Sequence, residues 1–120
     1  MGKYKIEYYH RKDGSCPAIE FLDSLDVKHR AKMLKSIQLV EEYGVELREP
    51  YSKPLGDGIF EFRAKLGTDI MRVLYFFCSG KCVILTNGFF KKTQKTPTKI
   101  QNYAKQCRAE YLKERGETIE

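Results

Sequence analysis

The sequence predicts an α+β fold: an N-terminal strand and a helical hairpin packed on a mainly antiparallel sheet, closed by a C-terminal helix. Three observations carry this. Apolar residues recur at helical spacing from Ala18 to Tyr43, then switch to a period of two from Ile59 to Leu66. Three apolar segments between Ile59 and Phe90 are separated only by the short turn sequences Gly67-Thr68-Asp69 and Ser79-Gly80, and such turns join antiparallel neighbours. A last helical stripe, Ile100, Tyr103, Ala104, Cys107 and Tyr111, follows them.

Taken in order, Lys3 to Tyr9 alternates polar and apolar residues, with Tyr4, Ile6 and Tyr8 on one face, and reads as a strand. Lys12-Asp13-Gly14-Ser15 is turn chemistry. Ser15 is placed to cap a helix with Pro17 in its first turn, and Ala18, Phe21, Leu22 and Leu25 carry that helix to about Asp26. A second helix spans Val27 to Tyr43 on the stripe Met33, Leu34, Ile37, Val40 and Tyr43, and Gly44 stops it. Val45 to Gly58, with Pro50, Pro54, Gly56 and Gly58, reads as irregular.

In the following strand Phe60, Phe62, Ala64 and Leu66 face one way, and Ile59, Glu61, Arg63 and Lys65 the other. Ile70 to Cys78 is apolar apart from Arg72, as expected of a central strand covered on both faces. Lys81 to Phe90 completes the meander. Thr96 is placed to cap the last helix, with Pro97 at its first position. One domain over 1–120 accounts for the whole chain, with residues from about 113 onward expected as a poorly ordered tail.

Composition narrows the function classes. Apolar residues are 42% and charged residues 32% of 120, ordinary for a globular domain. No stretch approaches the roughly 18 consecutive apolar residues of a membrane helix, and the N-terminus lacks a secretory pattern, so a cytoplasmic location without membrane contact is expected. Cys16, Cys78, Cys82 and Cys107 have no zinc-knuckle spacing and read as buried thiols of a reducing compartment, so no metal or cofactor is expected.

The net charge of +6 is localised. Ser79 to Ala109 holds Lys81, Lys91, Lys92, Lys95, Lys99, Lys105 and Arg108 and no acidic residue, leaving fifteen basic against sixteen acidic residues elsewhere. Such a block suits a phosphate backbone, an acidic protein partner or a solvated face.

Gly-rich phosphate loops, HExxH and nucleophile elbows are missing, and His10 and His29 read as surface histidines. What remains is Arg63, Lys65, Arg72, Lys91, Lys92 and Lys95. Arg72 in a central strand needs a partner, and Glu61 can supply it or can hold Arg72 ready for a phosphate. Counted from a turn over Gly67 to Asp69, Arg72 and Lys65 lie at comparable distances, so the two are expected to approach the same face. Cutting RNA needs no metal when the ribose 2′-OH attacks its own phosphate. Arg stabilises the crowded phosphorus, and a Lys among cations can move protons.

The runs Lys53-Pro54-Leu55-Gly56-Asp57-Gly58-Ile59-Phe60-Glu61-Phe62-Arg63, Met71-Arg72-Val73-Leu74-Tyr75-Phe76-Phe77 and Leu85 to Pro97 resemble the HigB-like (phage Gp49-like) branch of the RelE/ParE toxin superfamily. The resemblance implies a RelE-like fold and a toxin of a type II toxin–antitoxin pair that cuts mRNA on the ribosome without a metal. Its partners would be a helix-turn-helix, HigA-like antitoxin, forming a heterotetramer and touching operator DNA only through the antitoxin, and the ribosome with its mRNA. It implies Arg63, Arg72, Lys91 and Lys92 as catalytic. Lys65, Lys81, Lys95, Lys99 and Tyr75 are the expected RNA-binding residues, with Glu61 in support. The polar residues after Leu112 offer no C-terminal catalytic His or Tyr such as many members of the wider superfamily carry. The same fold serves ParE-like gyrase poisons, and a plain RNA-binding module is a further alternative.

Overall fold

A computed structural model describes residues 3–91 and 95–115 of the chain. Its elements are β1 (Lys5–Tyr8), α1 (Pro17–Ser24), α2 (Val27–Tyr43), a 3-10 turn (Gly44–Glu46), β2 (Ser52–Gly56), β3 (Ile59–Leu66), β4 (Asp69–Cys78), β5 (Cys82–Phe90) and α3 (Thr98–Glu114). The five strands form one sheet in the order β1-β5-β4-β3-β2. Every pairing is antiparallel except β1 with β5. The α1–α2 pair covers one face of the sheet and α3 the other, so the α+β class and the arrangement expected from the sequence are what the structure shows.

Each face has its own core. Met33, Ile37 and Val40 of α2 pack with Ala18, Leu22, Phe62, Val73 and Leu85. On the other face Ala104 and Cys107 of α3 pack on Ile59, Leu74, Phe76 and Ile84. Asp26 caps α2 through its side chain, accepting from the His29 amide at 2.8 Å. Gly44 ends that helix at φ 47°, and a Cβ there would lie about 2.1 Å from the Tyr4 ring, so only glycine fits.

Several expectations need correction. The segment read as irregular contains β2. Pro54 and Gly56 hid it, but proline is tolerated in an edge strand, where one side needs no N–H. Ser15 does not cap α1: Cys16 holds that position, and Ser15 bonds Asp13 in the preceding turn. The helix ends at Ser24 rather than Asp26. Leu34 and Tyr43 are exposed, so the buried stripe of α2 is narrower than the sequence pattern. Pro97, not Thr96, is the N-cap of α3, and the Thr96 side chain is used elsewhere. Helix α3 runs through Glu114 into the segment expected as a tail, and residues 116–120 lie outside the described residues.

Candidate phosphate-binding site

The register of the β3–β4 hairpin builds the site. Gly67 at φ 62° and Thr68 form a two-residue turn between Leu66 and Asp69. That turn sets Arg63 directly opposite Arg72, while Lys65 pairs with Ile70. Lys65 and Arg72 share a face as expected, but Asp69 is a strand residue rather than part of the turn, so Arg63 and not Lys65 stands opposite Arg72. Two guanidinium side chains therefore stand side by side on the α3 face of the sheet, just beyond the end of the helix.

Like charges at that distance need compensation, and Glu61 supplies it. It lies diagonally across from Arg72, with no exposed surface. Its Oε2 accepts from Arg72 Nη1, and its Oε1 accepts from the Thr96 hydroxyl. Lys53 Nζ on β2 approaches Oε2 at 3.8 Å. One carboxylate thus ties together β2, β4 and the approach to α3. Arg72 is 8% exposed, and burial lowers its proton affinity against the opposing pull of Glu61, with Arg63 adding repulsion. Arg72 Nε–H has no acceptor among the described residues. A cleft of about 100 Å³ opens here, lined by Glu49, Pro50, Ser52, Lys53, Arg63 and Arg72.

Lys91 enters the cluster at the end of β5. Its amide donates to the Ile70 carbonyl at 2.7 Å, which fixes its backbone beside β4. Partial burial lowers its pKa, and repulsion from Arg72, Lys53 and Arg63 adds to this against attraction from Glu61. Lys92 lies outside the described residues. Lys65, Lys95 and Lys99 are exposed on the sheet edge, the loop before α3 and the first turn of α3.

The rest of the basic block is dispersed. Lys81 sits in the β4–β5 turn, at the far end of β4, roughly 20 Å along the strand from Arg72. Lys105 pairs with Asp57 at 3.0 Å, and the Arg108 guanidinium packs over Gly58, so both clamp α3 to the β2–β3 turn. Tyr75 does not reach the surface as an RNA-binding residue would. It is 1% exposed, bonds Ser52 at 2.5 Å and lies in the core between Phe60 and Phe62. Lys53 and Thr96 were not identified as site residues. Lys53 was hidden in the unrecognised strand, and Thr96 resembled a helix cap.

Other titratable groups lie apart from the cluster. Cys82 and Cys107 are buried, and burial pushes both thiols up to about 11, whereas Cys16 and Cys78 are only partly covered rather than buried as expected. His29 is held between Asp26 and Asp69, each at 2.8 Å.

Comparison with known proteins gives a family match and matches among solved structures. No curated protein matches the sequence. A chain of the archaeal RelE–RelB complex from Pyrococcus horikoshii OT3 is 21% identical over 78% of this chain and 98% of its own, with a TM-score of 0.48. The family model described as phage derived protein Gp49-like (DUF891) matches residues 20–108, which include Glu61, Arg63, Arg72, Lys91 and the loop before α3. With most of its length matched, including every residue of the cleft, the chain belongs to the phage-derived Gp49-like protein family.

Proposed function

We propose that the protein is the toxin of a type II toxin–antitoxin pair and acts in the cytoplasm as a ribosome-dependent mRNA interferase of HigB type. The observation that carries this reading is the cross-strand pair of Arg63 and Arg72 over the buried carboxylate of Glu61, with Lys91 alongside. Two guanidinium groups can clasp the non-bridging oxygens of one phosphodiester and stabilise the charge that develops there. Glu61 positions Arg72 and does not touch substrate.

In the proposed reaction the ribose 2′-OH gives up its proton to solvent water and its oxygen bonds to phosphorus. The bond from phosphorus to the 5′-oxygen breaks, and that oxygen takes a proton. The products are a 2′,3′-cyclic phosphate and a 5′-hydroxyl. Lys91 is the proposed proton donor to the leaving oxygen, because its lowered pKa eases proton release. Lys92, Lys65, Lys95 and Lys99 would neutralise flanking phosphates or ribosomal RNA. The proposed antitoxin is a HigA-like helix-turn-helix protein that assembles with the toxin as a heterotetramer.

Primer extension on mRNA from cells briefly expressing the chain tests the reading. Breaks within translated codons are expected, and they should vanish with Arg63→Ala/Arg72→Ala. Growth arrest with intact mRNA would instead point to a bound target such as gyrase.

A further inference from the structure

Arg63 borders a second and larger cavity besides the phosphate cleft. A groove of about 940 Å³ runs between α2 and the outer edge of β3, with Lys32 and Lys35 on its helix side and Arg63 and Lys65 on its strand side. Leu39 and Tyr51 add apolar surface to its lining.

The groove exists because β2 stops short. Pairing with β3 runs only from Ser52, opposite Phe62, to Gly56, opposite Ile59. Beyond it the Arg63 amide donates to the Tyr51 carbonyl at 3.0 Å, and the Ser36 hydroxyl donates to the Arg63 carbonyl at 3.0 Å. A helix rather than a strand therefore flanks Lys65.

Three features point to one kind of occupant. Four basic residues border the groove against a single acidic one, Glu42: Lys32 and Lys35 from α2, and Arg63 and Lys65 where β3 forms its edge. Tyr51 is 52% exposed and has no stacking partner of its own among the described residues, so its ring is available to a base. Arg63 lines the groove and the phosphate cleft alike, so a chain with a phosphate in the cleft has its next unit at the groove. Positive charge beside an exposed aromatic ring is how single-stranded nucleic acid is held without sequence preference.

We propose that the α2–β3 groove is a binding site for single-stranded RNA, seating the nucleotide adjacent to the phosphate in the Arg63–Arg72 cleft. Its base stacks on Tyr51, and Lys32 and Lys35 neutralise its outer phosphate. This rests on the cleft being the site of the scissile phosphate.

The probe is a short, fluorescently labelled 2′-O-methyl RNA, which cannot be cut, titrated into the full chain at several salt concentrations. Tyr51→Ala should weaken binding at least about fivefold, and Tyr51→Phe should restore it. Lys32→Ala/Lys35→Ala should weaken binding and reduce the salt slope by about 0.7 for each lysine that contacts a phosphate. Wild-type affinity in both groove variants would overturn the proposal and leave the cleft reading intact. Loss in the groove variants together with full affinity in Arg63→Ala and Arg72→Ala would sink the cleft reading, and with it the adjacent seating proposed here. Absence of wild-type binding at low salt would also overturn the groove. So would groove variants that keep RNA affinity but escape neutralisation by the antitoxin, because the groove would then be a protein-docking surface.

Discussion

The α3 face of the sheet is apolar at one end and charged at the other, and the change takes two residues on each strand. On β3, Ile59 is packed under α3, while Glu61 and Arg63 follow it on the same face. On β4, Phe76 and Leu74 lie in that core, and Arg72 comes next. Cys107 of α3 covers the apolar end, while the chain leading into the helix reaches the charged end through Thr96. The two ends share strands, ladder and register, and differ only in what covers them. The apolar end stabilises the fold by removing surface from water. The charged end holds a desolvated ion pair, which is weak evidence for stability and is better explained by a need for oriented charge.

The sharpest way to break this comparison is to remove the two arginines separately. Arg63 is partly exposed and forms no ion pair among the described residues, so Arg63→Ala should leave urea stability within about 0.5 kcal/mol of wild type. It should nevertheless cost about 10²- to 10³-fold in RNA cleavage. Arg72→Ala should lose as much activity and also about 3–5 kcal/mol of stability, because it strips the buried Glu61 of its guanidinium partner. Equal stability in the two variants would mean that Glu61 does not depend on Arg72.

Phe76→Ala probes the opposite end. Phe76 is fully buried and meets Tyr111 of α3 edge-on, with ring centroids 5.5 Å apart. Truncation should cost about 3–5 kcal/mol, read by urea unfolding, while cleavage per folded molecule stays near wild type. A parallel loss of specific activity would show that the two ends are not separable.

Lys91 gives a pH test of the charged end. Its pKa is lowered, so its ammonium form is lost at a lower pH than for a solvated lysine. Acting as proton donor, it makes cleavage fall as pH rises through that value. Lys91→Arg keeps the charge but does not deprotonate in this range. It should slow cleavage about 10²-fold and remove the alkaline fall. An unchanged alkaline limb in the variant would assign that limb to another group.

The comparison also explains what could be read from the sequence. The span of helix α2 was legible, since the Met33-Ile37-Val40 spacing and Gly44 are local signals, whereas Asp26, which caps it, was read as the end of the preceding helix. The meander was legible from its two short turns. Residues whose meaning depends on non-local contacts were not. Tyr75 is an aromatic in an apolar strand in either role, and only its bond to Ser52 across the sheet makes it core. The pairing of Arg63 with Arg72 hangs on whether Asp69 belongs to the turn, and in a hairpin that choice shifts the whole register. Glu61 was correctly tied to Arg72 because a charge in a central strand demands a partner. Its second bond, to Thr96, joins segments 35 residues apart and left no local signal.

A smaller charge cluster on the other face of the sheet sharpens the contrast by its pH dependence. His29 bridges the start of α2 to the β3–β4 turn, with Nδ1 to Asp26 and Nε2 to Asp69. Hydrogen bonds to Asp26 and then Asp69 raise its pKa above the ordinary 6.5, against a smaller effect of burial. A pKa raised by folding means that the native state holds the proton more tightly than the unfolded chain does. The stabilisation is therefore complete below the unfolded value and fades as pH rises through the folded one. Urea stability of the wild type should fall relative to His29→Gln as pH rises above the ordinary imidazole value of 6.5. RNA cleavage per folded molecule should not follow it, because neither aspartate reaches the Arg63–Arg72 pair. If cleavage did track this titration, the β3–β4 turn would be transmitting charge state from one face of the sheet to the other, and the two faces could no longer be treated as independent.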